Sequence, residues 1–247
     1  MIGWEFVKTN EPLVLVEKPD PVPEPDMVVI EVKACGLCHS DVGVLHDEAW
    51  LELVRPHTYL GHEFAGVIVK AGAEVKNFKV GDRVAVCPTK DSRGQNPSYF
   101  GRDGAYATKA VAPEERRGHN PDGGPLSPAA AGADAGLAPV HASVKAGGQE
   151  ARTKTGIIGI GGLGQWGLRA AVIKGGEVYA STRNPEAQKI ALELGAKAVV
   201  SHPHELQQFG CELIVDLAGG ETTTAEAINA VADNGRVVLG GMATPSY

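Results

Sequence analysis

Thr155-Gly156-Ile157-Ile158-Gly159-Ile160-Gly161-Gly162-Leu163-Gly164-Gln165-Trp166-Gly167 decides how the second half of this 247-residue chain is read. Gly159, Gly161 and Gly164 stand in the order G-x-G-x-x-G. They follow the apolar run Gly156-Ile157-Ile158 and precede residues 165–173, whose composition suits a helix. Between a strand and a helix, the first glycine permits a tight turn, the second lets the backbone approach a pyrophosphate, and the third allows close helix-strand packing. The phosphates of a dinucleotide then meet free N–H groups at the positive end of the helix dipole. A bare G-x-G-x-x-G is weak in a chain with 32 glycines; its place between two such elements gives it weight.

Downstream, the apolar runs at residues 177–181, 197–200, 212–217 and 235–240 alternate with helix-compatible segments at 185–194 and 221–233. That alternation predicts a doubly wound parallel sheet. The strand at 177–181 leads to the residue that reads the adenosine ribose. An acid there selects NAD by repelling a 2′-phosphate. This chain has Ser181-Thr182-Arg183, with Thr182 at the acid's place. A guanidinium can clamp a phosphate, and two hydroxyls can donate to it, so NADP is expected over NAD. The competing reading is a solvated arginine at a helix start, because Asn184 and Pro185 form an ordinary N-cap and first-turn pair. His202 and His204 fall in a polar loop with no role assigned.

Composition narrows the classes. Hydrophobic residues at 43% and charged ones at 21% describe an ordinary globular protein with material for one large or two modest domains. A net charge of −7, with no basic cluster beyond Arg116-Arg117, argues against nucleic acid as a partner. The N-terminus shows no signal-peptide pattern and no apolar run nears spanning length, so no membrane partner and a cytoplasmic location are expected. Four cysteines then read as thiols or ligands rather than disulfides.

In the first half, short strands broken by prolines, at 13–17 and 27–32, predict a small β-rich, barrel-like domain. Cys35-Gly36-Leu37-Cys38-His39 admits three readings: a c-type haem attachment, a redox pair, or a metal site. The first needs an exported chain, and the second lacks its flanking βαβ unit. Further on, Gly61-His62-Glu63 interrupts an apolar sequence, followed by strands over 64–69 and 75–86 joined by a glycine turn. A thiolate from Cys38 and an imidazole from His62 suit zinc, which in a catalytic site takes three protein ligands and keeps one position open. By default, a lone His beside a Glu is a surface residue.

Gly36-Leu37-Cys38-His39-Ser40-Asp41, Gly61-His62-Glu63, Gly81-Asp82-Arg83-Val84 and the glycine-rich turn together resemble the zinc-dependent alcohol dehydrogenases of the medium-chain dehydrogenase/reductase family. The resemblance covers nearly the whole chain in order. It implies an α/β protein with a GroES-like β-rich catalytic domain over residues 1–136 and a Rossmann domain over 137–247. It also implies one catalytic zinc on Cys38 and His62, with Glu63 close enough to exchange with the zinc-bound water. The third ligand, usually a cysteine, falls on Asp134; the plain alternative is that Asp134 caps the following helix. Ser40 matches the hydroxyl that passes the alcohol proton. His39, Gly159, Gly161, Gly162, Leu163, Gly164, Ser181, Thr182 and Arg183 match cofactor-binding positions.

Departures from the family pattern also inform. The lobe expected to hold a structural zinc, near residues 87–106, has only Cys87, so no structural zinc is expected. The histidine that often continues the proton relay would fall near Gly43, leaving water, His46 or the cofactor ribose. Ala138 replaces a common threonine. Residues 116–124 read as an exposed loop with two solvated arginines. The sequence ends soon after the strand at 235–240, where the resemblance implies a further strand used in dimer pairing and a closing segment; a shortened chain is the expectation. The expected activity is hydride transfer between a small alcohol, aldehyde or ketone and NADP(H). Its rivals are a zinc-free quinone-reductase-like enzyme and a non-catalytic dinucleotide-binding remnant. Trp50 and Tyr59 are candidates to line a substrate pocket.

Overall fold

The computed structural model describes residues 1–89, 102–121, 123–220 and 222–241. The chain divides into two compact units, Met1–Asp134 and Ala135–Tyr247.

The first unit is built on antiparallel sheets. β1 (Ile2–Phe6), β2 (Val14–Glu17), β3 (Met27–Cys35), β4 (Thr58–Tyr59), β5 (Phe64–Ala71), β6 (Arg83–Val86), β7 (Lys109–Pro113) and β8 (Arg117–His119) form a three-stranded sheet, β2-β1-β4, and a five-stranded one, β7-β3-β5-β6-β8. Val28, Ile30, Phe64, Ile68, Val84 and Val86 pack into one core cluster. These alternate with more exposed neighbours along β6, as the period of two requires. A second cluster of Phe6, Val44, Val54 and Leu60 seats α1 (His39–His46). α2 (Leu126–Ala131) packs on β3 and β5, and the π-helical turn Gly132–Gly136 follows it.

β3 and β5 matter most for position. Their register shifts at Val29/Ile30 and Val32/Ala34, bulges that twist the pair, and ends with Cys35 opposite Phe64. The loop after Cys35 is therefore held beside the residues just before Phe64, and Gly36 N–H donates to the Glu63 carbonyl at 2.7 Å.

The second unit contains α3 (Leu137–Val140), β9 (Lys154–Ile158), α4 (Gly162–Ile173), β10 (Glu177–Ser181), α5 (Pro185–Glu193), β11 (Ala198–Val200), β12 (Leu213–Asp216), α6 (Thr223–Ala230) and β13 (Arg236–Leu239). The five strands are parallel in the order β11-β10-β9-β12-β13. Neighbouring residues of one strand enter different clusters. Ile157, Leu213 and Val215 pack with Leu168 and Ala171 of α4 and Ala187 and Ala191 of α5, whereas Ile158 and Ile214 pack with Leu206 and with Ala227 and Ala230 of α6. The sheet is thus covered on both faces, which explains the unbroken apolar run of β12. No helix among the described residues is long and apolar enough to cross a membrane.

Four sequence expectations need correction. Arg117 is not a solvated loop residue: it opens β8, is 9% exposed, bonds the Ala112 carbonyl and lies 5.0 Å from the Phe78 ring centroid. Burial pushes its pKa down to about 10, and the ring and carbonyl compensate. The strand expected from residue 75 begins only at Arg83, after the turn at Gly81, whose φ of +96° explains the glycine. His204 lies inside a 3₁₀ helix, Pro203–Phe209, with His202 at its N-cap, and not in a loop. Tyr59 is fully buried, its hydroxyl donating to the Val16 carbonyl at 3.0 Å, so it lines no open pocket. The helix expected over 221–233 is α6, with Glu221 outside the described residues. Most of the lobe expected to lack a structural zinc, residues 90–101, is also outside them.

Candidate active site

Two sets of groups carry chemistry, one in each unit.

In the first, Cys38 ends the loop after β3 and precedes α1, and Asp41 reaches back so that Oδ2 accepts the Cys38 N–H at 3.0 Å. Because β5 begins next to the end of β3, His62 and Glu63 face this loop. Glu63 lies so close over Gly36 that a Cβ there would sit 2.2 Å from Oε2, which accounts for the glycine. Asp134, in the π turn Gly132–Gly136, presents Oδ2 at 3.2 Å from His62 Nε2. The alternative role of Asp134 as a helix cap is not realised: the N-cap of α3 is Gly136, with no side-chain cap bond.

One donor atom each from Cys38, His62, Glu63 and Asp134 lies within 4.8 Å of all the others. Bonds of 2.0–2.3 Å in a tetrahedron put zinc donors about 3.3–3.8 Å apart, so small side-chain adjustments close the set on one ion. The electrostatics favour a cation. His62 and Glu63 are 4% and 5% exposed, and Asp41 only 3%. Burial disfavours an imidazolium at His62, yet the hydrogen bond to Asp134 and the nearby Asp41 carboxylate pull its pKa up to about 12. Burial, then the Asp134 charge, pushes Glu63 up. Three carboxyl groups and a thiol thus crowd one imidazole, an excess of acid that a divalent ion relieves. His62 Nδ1 faces Asp41 Oδ1 at 3.6 Å, the arrangement in which a carboxylate orients a metal-binding imidazole.

Cys35, the first thiol of the C-x-x-C pattern, is outside this set. Burial and the charges of Asp41 and Glu63 drive its pKa far up, so it stays a neutral thiol, pointing at the Gly36 carbonyl. Ser40 Oγ lies 3.5 Å from Cys38 Sγ. His39 is exposed on α1. His46 is also exposed and pairs with Asn10 Oδ1 at 3.4 Å. Gly43 packs so tightly on the Trp50 ring that no side chain fits there. Tyr106 escaped the sequence reading: its hydroxyl donates to Asp41 Oδ2 at 2.8 Å, and no spacing or motif signals this.

In the second unit, Gly159 has φ +83° and faces Ala218, while a Cβ on Gly164 would fall 1.8 Å from the Gly159 carbonyl oxygen. Both glycines are demanded by the protein itself. Gly161 and Gly162 are different: a Cβ on either meets nothing within 4 Å. The space they leave is open, at the N-terminus of a twelve-residue helix whose first N–H groups have no helical partner. Open space beside free N–H groups is the geometry that suits an anionic group such as a pyrophosphate. A cleft of about 360 Å³ lies over Gly159, Gly161, Gly162, Leu163 and Gly164. A second, of about 410 Å³, is lined by Ser181, Thr182 and Arg183 with Ser201, His202 and Glu226. Asn184 also caps α5, accepting from Glu186 N–H at 2.9 Å, so the cap pair and the cleft coexist. Asp216 is fully buried and accepts from Ala218 N–H, Gly219 N–H and the Thr223 and Thr224 hydroxyls at 2.8–3.0 Å, fixing the loop beside both clefts.

Comparison with known proteins agrees with this division. Residues 24–122 match the alcohol dehydrogenase GroES-like domain, and residues 162–246 match the zinc-binding dehydrogenase domain. The chain is 30% identical to L-threonine 3-dehydrogenase of Thermococcus kodakarensis, over 92% of this chain and 71% of that protein. It is 28% identical to NADP-dependent alcohol dehydrogenase C of Mycobacterium bovis, over 99% of this chain and 79% of that one. Among solved structures, a cobalt- and zinc-bound thermostable alcohol dehydrogenase from Pyrobaculum aerophilum superposes with a TM-score of 0.86 at 26% identity, covering 99% of this chain and 78% of that one. Acetophenone reductase from Geotrichum candidum in complex with NAD gives 0.86 at 25%, covering 100% and 77%. With its antiparallel β unit, its parallel dinucleotide-type sheet and these matches, the chain belongs to the medium-chain alcohol dehydrogenases, NAD(P)-dependent oxidoreductases acting on small alcohols and carbonyl compounds.

Proposed function

We propose that this protein is a zinc-dependent alcohol dehydrogenase or carbonyl reductase that works with NADP(H), with one zinc on Cys38, His62 and Asp134 and Glu63 beside it. The observation that carries the reading is the gathering of these four donor atoms within 4.8 Å of one another, from segments up to 96 positions apart in sequence. When bound, zinc supplies Lewis acidity toward an alcohol or carbonyl oxygen, and the nicotinamide supplies or takes the hydride.

The chain's own residues do the rest. Cys38 and the two acids offset the ion's charge, and Asp41 keeps the His62 ring turned with Nε2 toward the donors. Glu63, buried against Asp134, is a carboxyl group that can enter or leave the ligand set. Ser40, next to Cys38, holds a hydroxyl that can take up and pass on the substrate proton. Gly161, Gly162 and Leu163 offer N–H groups and room to the pyrophosphate, and His39 is assigned to the same cofactor. Ser181, Thr182 and Arg183 supply two hydroxyls and a guanidinium at the cleft where the adenosine ribose is read, which favours a 2′-phosphate. The name of the mycobacterial relative points the same way.

The test is metal analysis together with NADPH oxidation over a panel of aldehydes and ketones. We expect about one equivalent of zinc and turnover that a chelator abolishes. Turnover by metal-free protein would favour the zinc-free reductase. Bound zinc and cofactor without turnover would leave a binding protein.

A further inference from the structure

Among the described residues no arginine or lysine pairs with Asp41, yet its carboxylate is almost fully buried and faces His62. What holds it is Tyr106. The Tyr106 hydroxyl donates to Asp41 Oδ2 at 2.8 Å and lies 3.3 Å from the Gly36 carbonyl oxygen. The same side chain backs the other ligand segment. Gly61, immediately before His62, has φ +91°, and a Cβ there would meet the Tyr106 ring at 2.5 Å. The backbone is pinned as well: Tyr106 N–H donates to the Leu60 carbonyl and Ala105 N–H to the Gly61 carbonyl, both at 2.8 Å. Tyr106 therefore touches the Cys38 loop, the carboxylate that orients His62, and the turn that carries His62.

From this geometry we infer that Tyr106 is a positioning residue of the metal centre, its hydroxyl holding Asp41 and, through Asp41, the His62 imidazole. The inference rests on the proposed zinc site. A carboxylate fixed at one oxygen by an O–H donor and the Cys38 N–H has its other oxygen directed at Nδ1. Without the hydroxyl the carboxylate can rotate, and the imidazole loses its fixed tautomer and direction.

The experiment is zinc competition against a chromophoric chelator with the full chain, Tyr106→Phe, Asp41→Asn and the double variant. Phenylalanine keeps the ring against Gly61 and removes only the hydroxyl. Tyr106→Phe is expected to weaken zinc binding about tenfold, the lower end for a partner beyond the ligands. The double variant is expected to bind no more weakly than Asp41→Asn alone, because the tyrosine acts through that carboxylate. Tyr59→Phe, which removes another buried hydroxyl of the same unit, should leave zinc affinity unchanged. Equal zinc affinity in Tyr106→Phe and the unaltered chain would overturn the inference and leave the zinc site standing. So would an equal loss in Tyr59→Phe, fully additive losses in the double variant, or a Tyr106→Phe chain that does not fold. If the unaltered chain binds no zinc, the zinc site itself falls, and this inference with it.

Discussion

The donor cluster of the first unit, proposed as a metal centre, and the glycine-lined clefts of the second, proposed to take the nucleotide, are built by opposite routes. At the centre, side chains from separate segments do the work: Cys38 from the loop after β3, His62 and Glu63 from the turn before β5, Asp134 from a π turn. At the cleft over the glycine turn, one contiguous stretch presents backbone, and Gly161 and Gly162 leave it open because they have no side chain. A side-chain centre depends on a shell that aims each donor. A backbone cradle depends on the conformation of a single turn, so the two should fail in different ways.

The sharpest contrast lies inside the glycine turn. Gly164→Ala places a methyl 1.8 Å from the Gly159 carbonyl oxygen and should cost about 3 kcal/mol of stability, read by denaturant unfolding. Gly161→Ala, which meets open space, should leave stability within about 0.5 kcal/mol yet weaken NADPH binding roughly tenfold, as for one lost hydrogen bond to a charged group. If both variants lose stability alike, the cradle is only a packing device.

At the proposed metal centre the pattern should reverse. Asp134→Ala removes a donor from a partly exposed position, so the fold should survive while kcat/KM drops at least about 100-fold and zinc is lost on dialysis. Retained zinc with normal turnover would remove Asp134 from the site and restore a merely local role for it. Smaller again, Arg183→Ala should weaken NADPH roughly 10- to 100-fold with little change for NADH, measured by fluorescence titration. Equal losses for the two cofactors would make Arg183 a general surface charge.

The smallest effect concerns a buried carboxylate outside both sites. Burial raises the pKa of Glu5, but hydrogen bonds from His57 and Lys18 outweigh it and set the group below its usual 4.5. A carboxyl with the lower pKa in the folded state contributes stability that is full above the unfolded value and is lost as pH falls through the folded one. Glu5→Gln should therefore lose less stability than the unaltered chain between about pH 6 and about pH 3, by about 1 kcal/mol in thermal or urea unfolding. An identical acid dependence in both would show that the ion pair is no more than a surface contact.

The two regions also differ in how far they can be read without coordinates. The glycine turn and the strand-helix alternation are local, so spacing alone identifies the parallel sheet and the tight turn between β9 and α4. The thiolate and imidazole at Cys38 and His62 suggest zinc by chemistry, but what joins them is the pairing of Cys35 with Phe64, a tertiary fact. Asp134 is 72 positions from His62, and only the family resemblance points to it. Arg117 shows the cost of reading locally: in Arg116-Arg117-Gly118-His119-Asn120 nothing marks a buried guanidinium, because the Phe78 ring that covers it comes from a distant segment. Tyr106 is hidden for the same reason. Its hydroxyl matters only because folding carries it to an aspartate 65 positions away.

The most direct test is an anomalous difference map collected at the zinc edge from crystals grown with zinc. The account predicts one strong peak in the first unit, bonded at about 2.0–2.3 Å to Cys38 Sγ, His62 Nε2 and an Asp134 carboxylate oxygen. A map with no peak there, or with the ion held elsewhere by surface carboxylates, would contradict it.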